Sequence, residues 1–418
     1  MLNEAERSLL LICARQNLSP DLAGRAGEIL RRPLSWERLA ETAWRHGVAS
    51  LLFRNGQALP GAAGAARQGL HLLRQCYVRA AFRNETHYTA IAELAERAAN
   101  AGLDIVLLKG AALARTLYLD PALRPFADID LLVPNERVED AKQMLIAAGY
   151  EIAPDLLSEK FNRRYHSNLP LFRRAPHPIH VELHWRLSDP FSLTAFDHAA
   201  LFARSHCVPV AGNITVRVLS PEDELVYLAA HLDNHGYLNR MIVERSASTE
   251  ISLHELSGNR LIWFTDLHEL IGADPDWPRV MDFARNAGAS DSLAVSLRLL
   301  RALLGTPIPG HVLSGLPLPG LRWPERKVGD YVFSLAEKKP ADAAGVALFQ
   351  QRFLATRTGF ELRLIRLLDI WQYIFPQRTA LKKSYPVHAC AAVLHCGAML
   401  LELLGRHALR LVRVKSVP

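Results

Sequence analysis

Cysteine is scarce and never paired at short spacing. Cys13, Cys76, Cys207, Cys390 and Cys396 are odd in number and scattered over 418 residues. Without a C-x-x-C pair there is no sign of a disulfide framework or a structural zinc site, and the pattern fits a reducing, cytoplasmic compartment. Charge is also sparse: charged residues make up 22% of the chain while half of it is hydrophobic, which argues against a disordered polyelectrolyte. Long apolar runs are missing except for "VHACAAVLHCGAMLLELL" (387–404), which holds two His and a Glu and lies at the short limit for a membrane span. A buried terminal helix is expected there, although Arg406, Arg410, Arg413 and Lys415 leave an interfacial helix open. The opening "MLNEAERSLLLICARQ" carries early acids and no small-residue cleavage site, so no signal peptide is expected. Internal repeats and low-complexity tracts are absent.

What is present is a basic chain of more than one domain's length. The formal net charge is +7, with arginine spread along the chain rather than gathered in one block. That balance permits a polyanionic partner such as nucleotide, RNA or DNA without demanding one. Residues 1–100 form a helical region, 101–190 alternate strand-like and helical patterns, and 191–418 are mainly helical. A Pro/Gly-rich linker, "PIPGHVLSGLPLPGLRWP" (307–324), and a polar insert, "VERSASTEISLHELSGN" (243–259), interrupt the last region, and "GFELRLIRLLDIWQYIF" (359–375) reads as an amphipathic helix. In the first region Ser35 is expected to cap one helix running to Gly56, and a long helix is expected from about residue 66 to 101.

The chemistry lies in the middle region. "DIVLLKG" (104–110) reads as a strand stopped by Gly110, "GAALARTLYL" as a helix, and "DIDLLVP" (128–134) as a second strand. Asn135 and Gly149 bound a further helix, and "NLPLFRR" and "HPIHVELHWRL" are strand-like. On a strand, residues i and i+2 share a face roughly 6.5–7 Å apart, so Asp128 and Asp130 project together while Ile129 faces the core. Two such carboxylates repel unless a cation lies between them, and Mg²⁺ favours one or two carboxylates plus phosphate oxygens. Glu182 in "HVELHW" offers a third acid, with His180 and His184 on its face. Upstream, Gly110 sits where a strand becomes a helix, and free N–H groups there bind phosphate. Lys109 and Arg124 add positive charge within reach of a triphosphate. His184 and Trp185 are expected to shape the core, Asp266 to be structural, and His231 with His235 in "HLDNH" to form a packed or hydrogen-bonded pair, since no H-E-x-x-H glutamate accompanies them.

"LLKGAALARTLYLDPALRPFADIDLLV" followed by "HVELHW" resembles the nucleotidyltransferase superfamily, in particular a poorly characterised bacterial branch, over roughly residues 100 to 190. The resemblance implies an α+β fold: a polymerase-β-like core with a mixed sheet, flanked by N-terminal and C-terminal helical regions. It also implies transfer of a nucleotidyl group from an NTP, ATP among them, to an acceptor with Mg²⁺ or Mn²⁺. Carried over by position, Asp128, Asp130 and Glu182 match the catalytic and metal acids. Gly110 matches the phosphate-turn glycine, with Lys109, Ala111 and Arg124 around the nucleotide. Ala111 stands where the superfamily usually has Ser or Gly, which removes a hydroxyl from the phosphate site. Glu182 replaces the commoner Asp and reaches one methylene further. The expected activity is transfer to a small molecule, peptide, protein or RNA end. The alternatives are a nucleotide-binding partner protein of a biosynthetic or toxin–antitoxin locus, and a membrane-peripheral component using the basic C-terminus.

Overall fold

Hydrophobic spacing in the first hundred residues produces four short helices, α1 (Glu4–Cys13), α2 (Pro20–Leu30), α3 (Trp36–Arg45) and α4 (Ala49–Ala58), and the long α5 (Ala65–Asn100). The single helix expected from Ser35 to Gly56 is two helices. The chain breaks at Gly47, whose φ of +75° suits glycine and where a Cβ would lie 3.0 Å from Ile262. Ser35 stands at the cap of α3 but makes no side-chain capping bond; its N–H is given to Glu6 Oε1 at 2.7 Å.

The structure is a computed structural model that describes residues 2–59, 65–153, 163, 166–188, 194–235 and 260–317. These fall within one of the two compact units into which the chain divides, Met1–Asp189 with Thr194–Pro319. The 243–259 insert, the 359–375 and 387–404 segments and the Pro/Gly segment beyond residue 317 lie outside the described residues. No helix among the described residues is long and apolar enough to cross a membrane.

The fold is α+β, with a mixed seven-stranded sheet in the order β3-β4-β5-β2-β1-β7-β6. Its strands are β1 (Val106–Leu108), β2 (Asp128–Leu132), β3 (Glu151–Ile152), β4 (Asn168–Arg173), β5 (Ile179–His184), β6 (His206–Ala211) and β7 (Ile214–Val218). Central β2 runs antiparallel to β1 and parallel to β5. Period-2 alternation divides its two faces. Ile129 and Leu131, with Val181 and Leu183 of β5, are fully buried in a core shared with Ile91, Leu94 and Ala98 of α5 and with Ala141 and Leu145 of α7 (Val138–Ala147). Asp128 and Asp130, with His180, Glu182 and His184, take the opposite parity.

The sheet continues past residue 190. β7 pairs in parallel with β1, and β6 pairs with β7 across a two-residue Gly212–Asn213 turn. Gly212 has a φ of +52°, and a Gly-Asn turn between alternating segments is a hairpin signal. Between β1 and β2, α6 (Lys109–Thr116) is followed by a loop tied to α5. Asn84 donates to the carbonyls of Pro121 (2.7 Å) and Arg124 (3.0 Å), and the Tyr77 hydroxyl donates to Asp120 at 2.6 Å. These bonds fix the entry into β2 and hence the direction of Asp128. After α8 (His198–Arg204) and the hairpin come α9 (Pro221–His235), α10 (Leu261–Gly272), α11 (Trp277–Asn286), α12 (Ser290–Leu304) and α13 (Gly310–Gly315), with α9 packed on α10, α11 and α12. The short α13 lies inside the segment expected to be a linker.

Candidate active site

The register of β2 and β5 sets Asp130 directly opposite Glu182 and Asp128 opposite His180. Asp130 is almost fully buried, at 2% exposure, yet it is not isolated. Its Oδ1 accepts from Lys109 Nζ at 2.7 Å and from His184 Nε2 at 2.9 Å. Glu182 is more open; its Oε2 accepts from Asn168 Nδ2 at 2.8 Å and lies 3.2 Å from His184 Nε2 and 3.8 Å from Lys109 Nζ. Burial opposes ionisation of Asp130, but the Lys109 ammonium and the His184 hydrogen bond prevail and hold it well below the usual carboxylate range. Asp128 behaves in the opposite way. Burial, then the charges of Asp130 and Glu182, push its carboxyl upward against the pull of Lys109 and Arg124. Burial also works against protonation of His184, and its hydrogen bonds to Asp130 and Glu182 outweigh that, so its imidazole is more basic than usual.

Among the described residues, Asp130, Glu182 and His184 form the group that could hold a metal ion, with ligand atoms within 4.8 Å of one another. The two carboxylates offer oxygens, which suit Mg²⁺ or Mn²⁺, and His184 offers a nitrogen. His184 Nε2 bridges both carboxylates, as a residue that orients metal ligands does. The two carboxylates could hold a divalent ion, and Asp128 lies on the same strand face.

The four residues expected to cradle phosphate are placed differently from one another. Lys109 sits on the carboxylates. Its φ is +50°, a left-handed conformation in a non-glycine residue, at the junction of β1 and α6. Gly110 has its missing side chain accounted for by the protein itself: a Cβ would meet Arg124 Nη1 at 2.5 Å and Phe126 Cβ at 2.9 Å. Ala111 turns its methyl into the hydrophobic core, and its carbonyl accepts from the Tyr88 hydroxyl at 2.9 Å. Arg124 is buried in an ion pair with Asp266, which its Nη2 meets at 2.6 Å and its Nε at 3.0 and 3.1 Å. Tyr118 donates to the same Asp266 at 2.8 Å. Burial works against the Arg124 cation, but Asp266 more than compensates and raises its basicity further. The structure thus brings Asp130, Glu182 and Lys109 together, leaves Asp128 on the same strand face but outside the ligand group, where His184 stands instead, and pairs Arg124 with Asp266.

Four further residues surround the site, of which Glu224 and Tyr227 were not singled out from the sequence. His184 was read as core. Glu224, on α9, accepts the Lys109 backbone N–H at 3.2 Å, taking the first free donor of α6; burial pushes its carboxyl up to about 8. Tyr227 and His231 follow at helical spacing, and each is electrostatically coupled to Lys109 and Asp130. The spacing of Glu224, Tyr227 and His231 on one helix face was the available signal. His231 and His235 pack ring to ring at 4.4 Å, and each lies 5.4 Å from Trp263, a packed pair rather than a chelating one.

With this geometry in place, the comparisons identify the class. The model of the uncharacterised nucleotidyltransferase family matches residues 32–305, more than half of the chain. The chain belongs to that family. It is also similar to the crystal structure of an antigenic nucleotidyltransferase-like protein from Paracoccidioides brasiliensis, at 18% identity and a TM-score of 0.33 over 54% of this chain and 95% of that one. No curated protein matches the chain.

Proposed function

We propose that the protein transfers a nucleotidyl group from an NTP to an acceptor in a reaction dependent on Mg²⁺ or Mn²⁺. One observation carries this reading: two carboxylates, Asp130 and Glu182, meet across adjacent strands with His184 bridging them at 2.9 and 3.2 Å, and Asp128 lies two residues along the same strand face. Asp128, Asp130 and Glu182 would hold the metal. When bound, it would neutralise phosphate charge and activate the attacking hydroxyl. Glu182, the more open acid, is the group able to take the hydroxyl proton. The acceptor oxygen bonds to the α-phosphorus, the bond to the α,β-bridging oxygen breaks, and pyrophosphate leaves with the electron pair. Lys109 supplies positive charge beside the reacting phosphates.

A second reading, a nucleotide-binding partner protein without turnover, is favoured by the absence of a hydroxyl at Ala111 and by Glu224 on the first N–H of α6. Incubation with each α-labelled NTP, Mg²⁺ or Mn²⁺, and acceptors drawn from small molecules, peptides, proteins and RNA tests both. Label transfer that Asp130→Asn abolishes supports the enzyme. Nucleotide binding without transfer to any acceptor class supports the partner protein.

A further inference from the structure

We propose that Lys109 is the resident counter-ion of the carboxylate site, occupying the place of the divalent ion on Asp130 until nucleotide phosphates draw its ammonium away. The inference rests on the metal-site reading given above and adds an order of events to it. Lys109 Nζ lies 2.7 Å from Asp130 Oδ1 and 3.8 Å from Glu182 Oε2, and its side chain is only 16% exposed. A hard divalent ion contacts a carboxylate oxygen at about 2.1 Å. Asp130 Oδ1 already accepts from Lys109 and from His184, the two groups that also lie against Glu182 Oε2. An ion bridging Asp130 and Glu182 would meet the ammonium on that same oxygen, two cations in a poorly solvated space, so their occupancies exclude each other.

The backbone at this position supports the exchange. Lys109 holds a left-handed φ of +50°, which is costly for a residue with a Cβ and free for glycine. A lysine thus stands where glycine would relieve the turn, and its side-chain contacts run to the site acids. Its N–H is anchored by Glu224 Oε1 at 3.2 Å. The turn is thus held while the four-carbon stem remains able to swing from carboxylate to phosphate. The consequence is coupling: the metal alone binds weakly, and metal and nucleotide strengthen each other, because the phosphates supply the anion that Lys109 needs when it leaves Asp130.

Mn²⁺ binding followed by electron paramagnetic resonance tests this on the full-length protein, with wild type, Lys109→Gly and Lys109→Met compared in nucleotide-free buffer. Lys109→Gly removes the ammonium while suiting the backbone, and Lys109→Met keeps the stem; thermal unfolding in EDTA checks that each is folded. Either variant is expected to bind Mn²⁺ at least about tenfold tighter than wild type, an effect of removing one adjacent cation. Wild type is expected to approach that affinity only when the α,β-methylene analogues of the four NTPs are added. Equal Mn²⁺ affinity in wild type and both variants, with binding present, would overturn the role of Lys109 and leave the metal site standing. No Mn²⁺ binding by any form, with or without the analogues, would remove the metal site and this inference with it.

Discussion

Arg124 with Asp266 and Lys109 with Asp130 are two buried ion pairs that both draw on the α6–β2 segment. In the first, a planar guanidinium grips one carboxylate through three contacts, both side chains are 6% exposed or less, and Tyr118 takes up the remaining acceptor capacity. One positive charge meets one negative charge and the surroundings are closed. In the second, one flexible ammonium serves Asp130 and Glu182 while Asp128 waits nearby, Glu182 is open, and His184 Nδ1 has no partner. Negative charge is in excess and one side is accessible. A balanced, sealed pair has no need of an outside ion and is costly only to break; an unbalanced, open cluster invites an external cation and its phosphates. The difference separates scaffold from site although both are buried charge.

The comparison is sharpest under substitution. Asp266→Ala should leave Arg124 buried without compensation and lower stability by about 3–5 kcal/mol in urea unfolding, whereas Arg124→Met combined with Asp266→Leu should recover most of that loss. If Asp266→Ala unfolded like wild type, the pair would not be structural. Gly110→Ala should come next, at about 1–3 kcal/mol, because its Cβ would enter the space of the Arg124 guanidinium and Phe126. Here the loss should appear in the denaturation midpoint; a change confined to nucleotide affinity would return Gly110 to the phosphates. The smallest effect, under about 1 kcal/mol and of opposite sign, is expected for Asp128→Asn. The folded carboxyl of Asp128 lies above its unfolded value, so its ionisation cost is absent in acid, grows as pH rises between the two values, and is complete above the folded one. Asp128→Asn should therefore match wild type in acid and exceed it slightly at neutral pH in metal-free buffer. Lower stability at neutral pH would mean that Asp128 is a structural ligand of the scaffold.

Much of the carboxylate face was legible because strand chemistry repeats every second residue. Asp128, Asp130 and Glu182 each interrupt an apolar alternation, and β2 and β5 pair in the register that sets Asp130 against Glu182. His184 has the same parity, but an imidazole in an apolar strand reads equally well as core. Arg124 could not be separated from a phosphate ligand by sequence, since its partner lies 142 residues away, and Glu224 reaches Lys109 across 115 residues. Such pairings depend on how α9 and α10 pack, which no local pattern encodes. The hairpin at 206–218 was overlooked for another reason: its strands are short and partly exposed, and its Gly-Asn turn lies in a stretch otherwise rich in helix.

The most direct test of the site against the scaffold is a paired measurement on Glu182→Gln. NTP affinity is read by calorimetry in Mg²⁺, and transfer of α-labelled nucleotide to an identified acceptor is followed over a single turnover. Glu182 is one of the site acids and takes no part in the Arg124–Asp266 pair, so Mg·NTP should bind within a few-fold of wild type. The transfer rate should fall by roughly 10²-fold or more, as expected on losing an acid–base group. An unchanged rate, or a loss of affinity as large as the loss of rate, would contradict the assignment of the β2–β5 carboxylate face to chemistry.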